Sequence, residues 1–207
     1  LNESSGSRLE HTVVRYAGSG NMGSIYIYQS DMPVLSSEVS HGQSHGIFTY
    51  SASPQLEGNT IADNGQDGIH HTGSSSPIDR NNDISGNGND GIHVASGTPT
   101  IDDNQITGNT GWGIWFQNPA DAPVITGNTI TGNRQSAMLP VSAVPNQSDG
   151  NTLAPNQVNA LWIRGGDRNT DLVLPVLYPG TPQELRAYQI NGQLTMTAGN
   201  TLTIQPG

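Results

Sequence analysis

An all-β chain wound as a parallel solenoid is the fold this sequence predicts, and three observations predict it. Two asparagine columns recur with the same steps of 23, 22, 24 and 23 residues: Asn59, Asn82, Asn104, Asn128, Asn151 and Asn64, Asn87, Asn109, Asn133, Asn156. Apolar columns keep the same beat, one as Ile61, Ile84, Ile106, Ile130, Leu153 and one as Ile25, Ile47, Ile69, Ile92, Ile114, Met138, Leu161. Around each apolar residue the chain alternates, as in Gly-Ile-His-Val, so the local state is strand. Asn, Gly and Pro at every corner exclude helices of useful length. A leucine-rich repeat needs a scaffold that is missing, and a propeller blade is about twice as long. What remains is a single-stranded right-handed parallel β-helix with about 22–24 residues and three short strands per coil.

Taken in order, Leu1 to Ser7 lack pattern and read as a frayed end. Leu9 to Tyr16 alternates as strand, Ala17 to Gly23 is a glycine-rich corner, and Ile25 to Tyr28 is strand again. Between Pro33 and Ser53 both corner asparagines are missing, with Ser37 and Gly42 at the equivalent corners. The Asn-ladder region therefore spans 54–166. Asn tolerates left-handed backbone angles at sharp corners, and amides stacked about 4.8 Å apart can hydrogen-bond along the column. No register slip is expected between Asn59 and Leu161. Past Asn133 the pattern degrades, with Pro140 and Pro145 interrupting. Residues 1–166 are expected to be β-helix coils and 167–187 an irregular connector carrying Pro175, Pro179 and Pro182. Residues 188–207 read as the start of a further β-helical or capping segment.

Composition narrows the function classes. The 207 residues would fill about nine coils, and 32% hydrophobic content suffices for a narrow solenoid core supported by polar ladders. With a net charge of −10 and no lysine, phosphate-directed nucleic-acid binding is excluded, and no membrane-inserting run exists. The absence of cysteine removes disulfides, thiol catalysis and Cys-type zinc sites. The chain begins without Met and stops within a strand-like pattern, which reads as a piece of something longer.

The repeats resemble those of the parallel β-helix proteins, which include pectin-active enzymes and large bacterial and archaeal surface proteins. The resemblance runs from about Leu9 to Gly166. LEHTVVRYAGSG with SIYIYQSDMP is similar to coils of secreted surface proteins, and YQINGQLTMTAGNTLTIQPG to segments that open a fresh β-helix there. It implies an extracellular or cell-surface location. It also sets a chemical standard: pectin-active members use clustered carboxylates with Arg or calcium. Asp67 and Asp90 align one coil apart, near Asp63, Asp102 and Asp103, but the next positions in that column are Trp112 and Ser136. Asn-Thr-Asp at 169–171 matches the polygalacturonase triplet without its later partners, and Asp-Pro-His-Asp of mannuronan epimerases is absent. No catalytic residue is assigned.

Candidate binding residues lie on the outward face. One column runs Tyr26, Phe48, His70, His93, Trp115, Leu139, Trp162, and beside it run Tyr28, Tyr50, Thr72, Ala95, Gln117, Val141, Arg164. Rings in line on a solvent-facing sheet suit a glycan or a protein partner. His70 and His93 are expected to form an exposed ring stack, with no metal assigned to them. The four-residue spacing of His41 and His45 lies on a β corner and carries no ligand geometry. Acidic corners such as DNGQDG and NGNDGI offer oxygens that suit calcium; no other cofactor is expected. The sequence thus favours a non-enzymatic structural or adhesive module of a larger extracellular protein, contacting neighbouring subunits or stacking head to tail through open strand edges. The alternative is a carbohydrate-binding or polysaccharide-active β-helix that uses the aromatic face.

Overall fold

The computed structural model describes residues 6–118, 123–144, 149–174 and 187–205. The chain winds as a right-handed parallel β-solenoid of about seven turns with three strands per coil. Fold class and strand count match the sequence expectation. The expected nine coils are too many, because the chain beyond residue 157 makes long strands instead of regular three-strand coils. Val158–Arg168 and Ala187–Met196 pair in parallel, and Leu172–Leu174 pairs with Leu202–Ile204 in a small separate sheet. Within the expected connector 167–187, the first residues are thus partly strand. Its prolines, like Pro145 and most of the unpatterned N-terminus, fall outside the described residues.

Three walls enclose the core. One six-stranded sheet runs from Leu9–Glu10 to Val124–Thr126, and a second from Val13–Arg15 to Thr129–Thr131. The third begins Ile25–Tyr28, Ile47–Tyr50, Ile69–Thr72, Ile92–Val94, Trp112–Phe116, Gln135–Pro140 and ends in the two long strands. Most coils point one apolar residue inward from each wall, as in the coil of Ile101, Ile106 and Ile114, all fully buried. Each such side chain contributes roughly 1.5–3 kcal/mol relative to exposure. No helix among the described residues is long and apolar enough to cross a membrane.

Both asparagine columns are buried and bonded from coil to coil. Asn59, Asn82, Asn104 and Asn128 each donate Nδ2–H to the Oδ1 of the next member at 3.0–3.1 Å, ending on Asn151. Asn64, Asn87, Asn109 and Asn133 do the same at 2.9–3.2 Å, ending on Asn156. Every Oδ1 also receives the backbone N–H of the preceding member, and Ser37 and Gly42 feed their N–H groups into Asn59 and Asn64. The backbone reason given for Asn is corrected, however. The left-handed residue is the one just before the ladder position, such as Asp63, Asn81, Asp103, Gly86 or Gly127. Asn is needed for its amide, not for its φ.

The Gly of each Gly-Ile pair has a packing reason. A Cβ on Gly113 would collide with Ile130 Cγ2 and come within 2.7 Å of the Ser136 carbonyl oxygen. The corner therefore closes only around hydrogen. Gly113→Ala is expected to destabilise the fold by about 1–3 kcal/mol through overpacking, read as a lower urea midpoint with an unchanged slope.

The register differs from expectation in one coil. Ile114 pairs with Ala137 and Trp115 with Met138, so Ala137, not Met138, points inward, and Met138, not Leu139, continues the outward column. Gln135, not Ser136, follows Trp112. The corner after Asn133 is one residue shorter than its predecessors, and a further irregularity separates Val158 from Leu161. Pro140 stands opposite Arg164, while Val141 leaves the sheet to open a 3-10 turn.

Candidate functional site

The third sheet carries two outward columns that meet at its first corner. Phe48, His70, His93 and Trp115 stand in register along the strands. Two residues before each inward isoleucine lie His45, Asp67, Asp90 and Trp112. The tight Gly between each corner residue and its isoleucine folds the corner back. Positions three apart, Asp67 with His70 and Asp90 with His93, therefore share the outer face.

The rings form a continuous stack. Tyr26 meets Phe48 edge-on at 5.5 Å between centroids, Phe48 and His70 are parallel at 4.8 Å, and His70–His93 and His93–Trp115 follow at 4.4 and 4.2 Å. Tyr28 and Tyr50 stack beside them at 5.5 Å, and Trp162 sits edge-on against Trp112 at 5.4 Å. These spacings follow the distance between strands, about 4.8 Å. Neighbouring rings consequently cover part of one another's surface. Tyr26, Tyr28 and Tyr50 are 40%, 52% and 41% exposed, whereas Phe48, Trp115 and Trp162 are half-buried.

The expected exposed histidine stack is corrected. His93 is buried and His70 largely so, because both turn toward the Asp67 carboxylate. Asp67 Oδ2 lies 2.8 Å from His70 Nδ1, 3.1 Å from His45 Nδ1 and 3.2 Å from His93 Nδ1. Its Oδ1 accepts the Asn89 amide at 2.7 Å and the Asp90 backbone N–H at 3.1 Å. Burial pushes the Asp67 carboxyl up, but the three imidazoles outweigh it and hold the group well below the usual carboxylate range. Burial, reinforced by the charge on Asp67, pushes Asp90 up to about 7 although the Trp112 backbone N–H bonds to it. Burial also depresses His70. Two neighbouring carboxylates are thus driven apart in proton affinity.

The ligand-type atoms of His45, Asp67 and His70 lie within 4.8 Å of one another, as do those of Asp67, Asp90 and His93. Asp67 and Asp90, singled out in the sequence as aligned carboxylates, thus join the outward rings, and His45, expected to carry no ligand geometry, joins them as well. The signal was present: Asp-Gly-Ile-His occurs twice, one coil apart, preceded by His45-Gly-Ile-Phe. His41 is separate, 3.9 Å from the exposed Asp63 and stacked on Tyr16 at 5.3 Å. Asp102 is engaged by Arg80 at 3.0 Å on another wall and does not join the cluster.

A family described as "Right handed beta helix region" matches residues 2–171. No curated protein matches the chain. Among solved structures, the "Crystal Structure of the periplasmic alginate epimerase AlgG" is similar at 15% identity and a TM-score of 0.36, covering 87% of this chain and 47% of that one. The chain thus spans about half the length of that protein.

Proposed function

The chain belongs to the right-handed beta helix family, and on that premise we propose that it is a non-enzymatic structural or adhesive module. It would act as a stiff rod within a larger extracellular or cell-surface protein. One observation carries this reading: the solenoid's polar chemistry is directed at itself. The two aligned carboxylates, Asp67 and Asp90, are buried and engaged, and both asparagine ladders are closed from coil to coil. Such groups stiffen a rod and leave little for a substrate to reach. Contact with a partner falls to the exposed tyrosine edge, Tyr26, Tyr28 and Tyr50. End-to-end association through parallel strand edges belongs to the same reading.

A second reading has its own support. Those tyrosines lie on two adjacent coils of one sheet and are each 40–52% exposed, a surface open to a sugar chain running along the rod. The experiment is a glycan array with an activity assay on acidic polysaccharides, alongside light scattering at high protein concentration. No turnover, with either self-association or protein-partner binding that weakens in Tyr28→Ala/Tyr50→Ala, supports the module. Polysaccharide turnover overturns it, and glycan binding lost in that double variant establishes the second reading.

A further inference from the structure

We propose that His45, Asp67 and His70 form a binding site for a single divalent transition-metal ion of the zinc class, which clips together successive coils of the rod. The inference goes beyond the structural reading and stands on the geometry of the donor atoms: those of His45, Asp67 and His70 lie within 4.8 Å of one another.

Three imidazole nitrogens face one carboxylate oxygen, Asp67 Oδ2, at 2.8–3.2 Å. That oxygen has two lone pairs and accepts about two well-directed N–H donors. The other oxygen is already filled by Asn89 and the Asp90 backbone. His45 Nδ1 is the surplus member. It accepts the backbone N–H of Asp67 at 3.3 Å, so it carries a lone pair, not a proton, beside this centre. A lone pair 3.1 Å from a second lone pair on Asp67 is repulsive unless positive charge lies between them. A protonated His45 Nδ1 would relieve the repulsion but would lose the Asp67 N–H bond. A cation also relieves it, with His45 Nδ1 turning its one lone pair from the Asp67 N–H to the metal and His70 Nδ1 giving up the proton it shares with Asp67 Oδ2.

The separations suit a metal equally well. Ligands about 2.0–2.2 Å from a tetrahedral zinc stand roughly 3.3–3.5 Å apart, and the His45 and His70 donors, 3.1 and 2.8 Å from Asp67 Oδ2, reach that spacing by moving outward a few tenths of an ångström. Two imidazoles with one carboxylate select zinc-class ions over calcium, which takes six to eight oxygens. The ring of His70 is held parallel to Phe48 and against His45 at 4.6 Å between centroids, so the donors are pre-oriented. His93 and Asp90 flank the site and share Asp67 with it. Ligation links the coil of His45 to the coil of Asp67 and His70, a bond across the stacking direction that binding energy would add to folding.

The test uses the whole chain, stripped with a chelator and dialysed. Zinc chloride titrated calorimetrically is expected to bind with one equivalent, to remain after dialysis by elemental analysis, and to raise Tm. His45→Ala and His70→Ala are each expected to weaken binding by more than the roughly 10–100-fold that an outer-shell partner costs, while His41→Ala binds as the parent. Cobalt(II) in the unaltered chain locates the site without any substitution, through paramagnetically shifted imidazole protons of His45 and His70. Absence of stoichiometric zinc uptake by the folded parent chain overturns the proposal. So does uptake unchanged in both histidine variants, or cobalt shifts confined to His11 and His41.

Discussion

Asp79→Ala is expected to destabilise the fold by about 3–5 kcal/mol, the usual cost of removing one partner of a buried pair. Asp79 is 0% exposed and occupies the inward column of the first sheet, between Leu56 and Ile101. Across the lumen His71, also 0% exposed, stands where its neighbour Val94 is apolar. His71 Nε2 meets Asp79 Oδ2 at 2.8 Å, and His71 Nδ1 meets Thr49 Oγ1 at 2.7 Å. The three side chains are joined like a Thr-His-Asp relay, but the lumen seals them from any substrate. Removing the carboxylate leaves His71 Nε2 buried without its partner. Asp79 Oδ1 has no hydrogen-bond partner, so the pair itself carries an unmet desolvation cost. His71→Leu/Asp79→Leu, which restores the apolar columns, is therefore expected to match or exceed the parent in stability. Urea unfolding of the two single variants and the double variant checks this. Single variants within about 1 kcal/mol of the parent would show that the pair contributes nothing distinctive.

The columns that made the fold legible are the ones for which the physics is repetitive. Most coils solve the same problem, an inward apolar residue per wall and an amide at two of the three corners, so the answer is written several times and errors average out. Where a coil departs from the repeat, nothing in the sequence says which position absorbed the change. That is why the loss of one residue in the corner before Gln135 moved Ala137 into the core and Met138 out, against expectation. The site was less legible for a related reason. Reading strands as strict alternation separates Asp67 from His70, since three residues apart means opposite faces. The glycine corner breaks that alternation and brings them to 2.8 Å. His71 and Asp79 illustrate the reverse. Each looks like an isolated polar intrusion in its own column, and only the closed cross-section shows that the two intrusions answer each other.

The asparagine ladders give the other large effect, and they also separate hydrogen bonding from backbone shape as the reason for Asn. Asn109 is buried in mid-ladder. Its Oδ1 accepts the Asn87 backbone N–H and Nδ2–H at 3.0 Å each, and its Nδ2 donates to the Ile84 carbonyl at 3.2 Å and to Asn133 Oδ1 at 2.9 Å. Asn109→Ala removes all four bonds and leaves the Asn87 donors facing a void. At about 1–3 kcal/mol for each buried group left unpaired, partial relaxation still leaves an expected loss of about 4 kcal/mol. Asn109→Asp sharpens the argument, because it preserves shape, volume and both accepted bonds. It replaces only the donor, setting an oxygen against the Ile84 carbonyl and Asn133 Oδ1 and adding a buried charge without a cation. It is therefore expected to be at least as destabilising as alanine at pH 7, and to recover when acid protonates the carboxyl and restores a donor. Asn109→Gly, by contrast, relaxes any backbone demand and should rescue nothing, because Gly108, not Asn109, holds the left-handed angle. Urea midpoints for the three variants at pH 7 and pH 4 decide the matter. An aspartate variant as stable as the parent at pH 7 would mean that the ladder's donors are dispensable, and that Asn stands at these corners for some reason other than its amide.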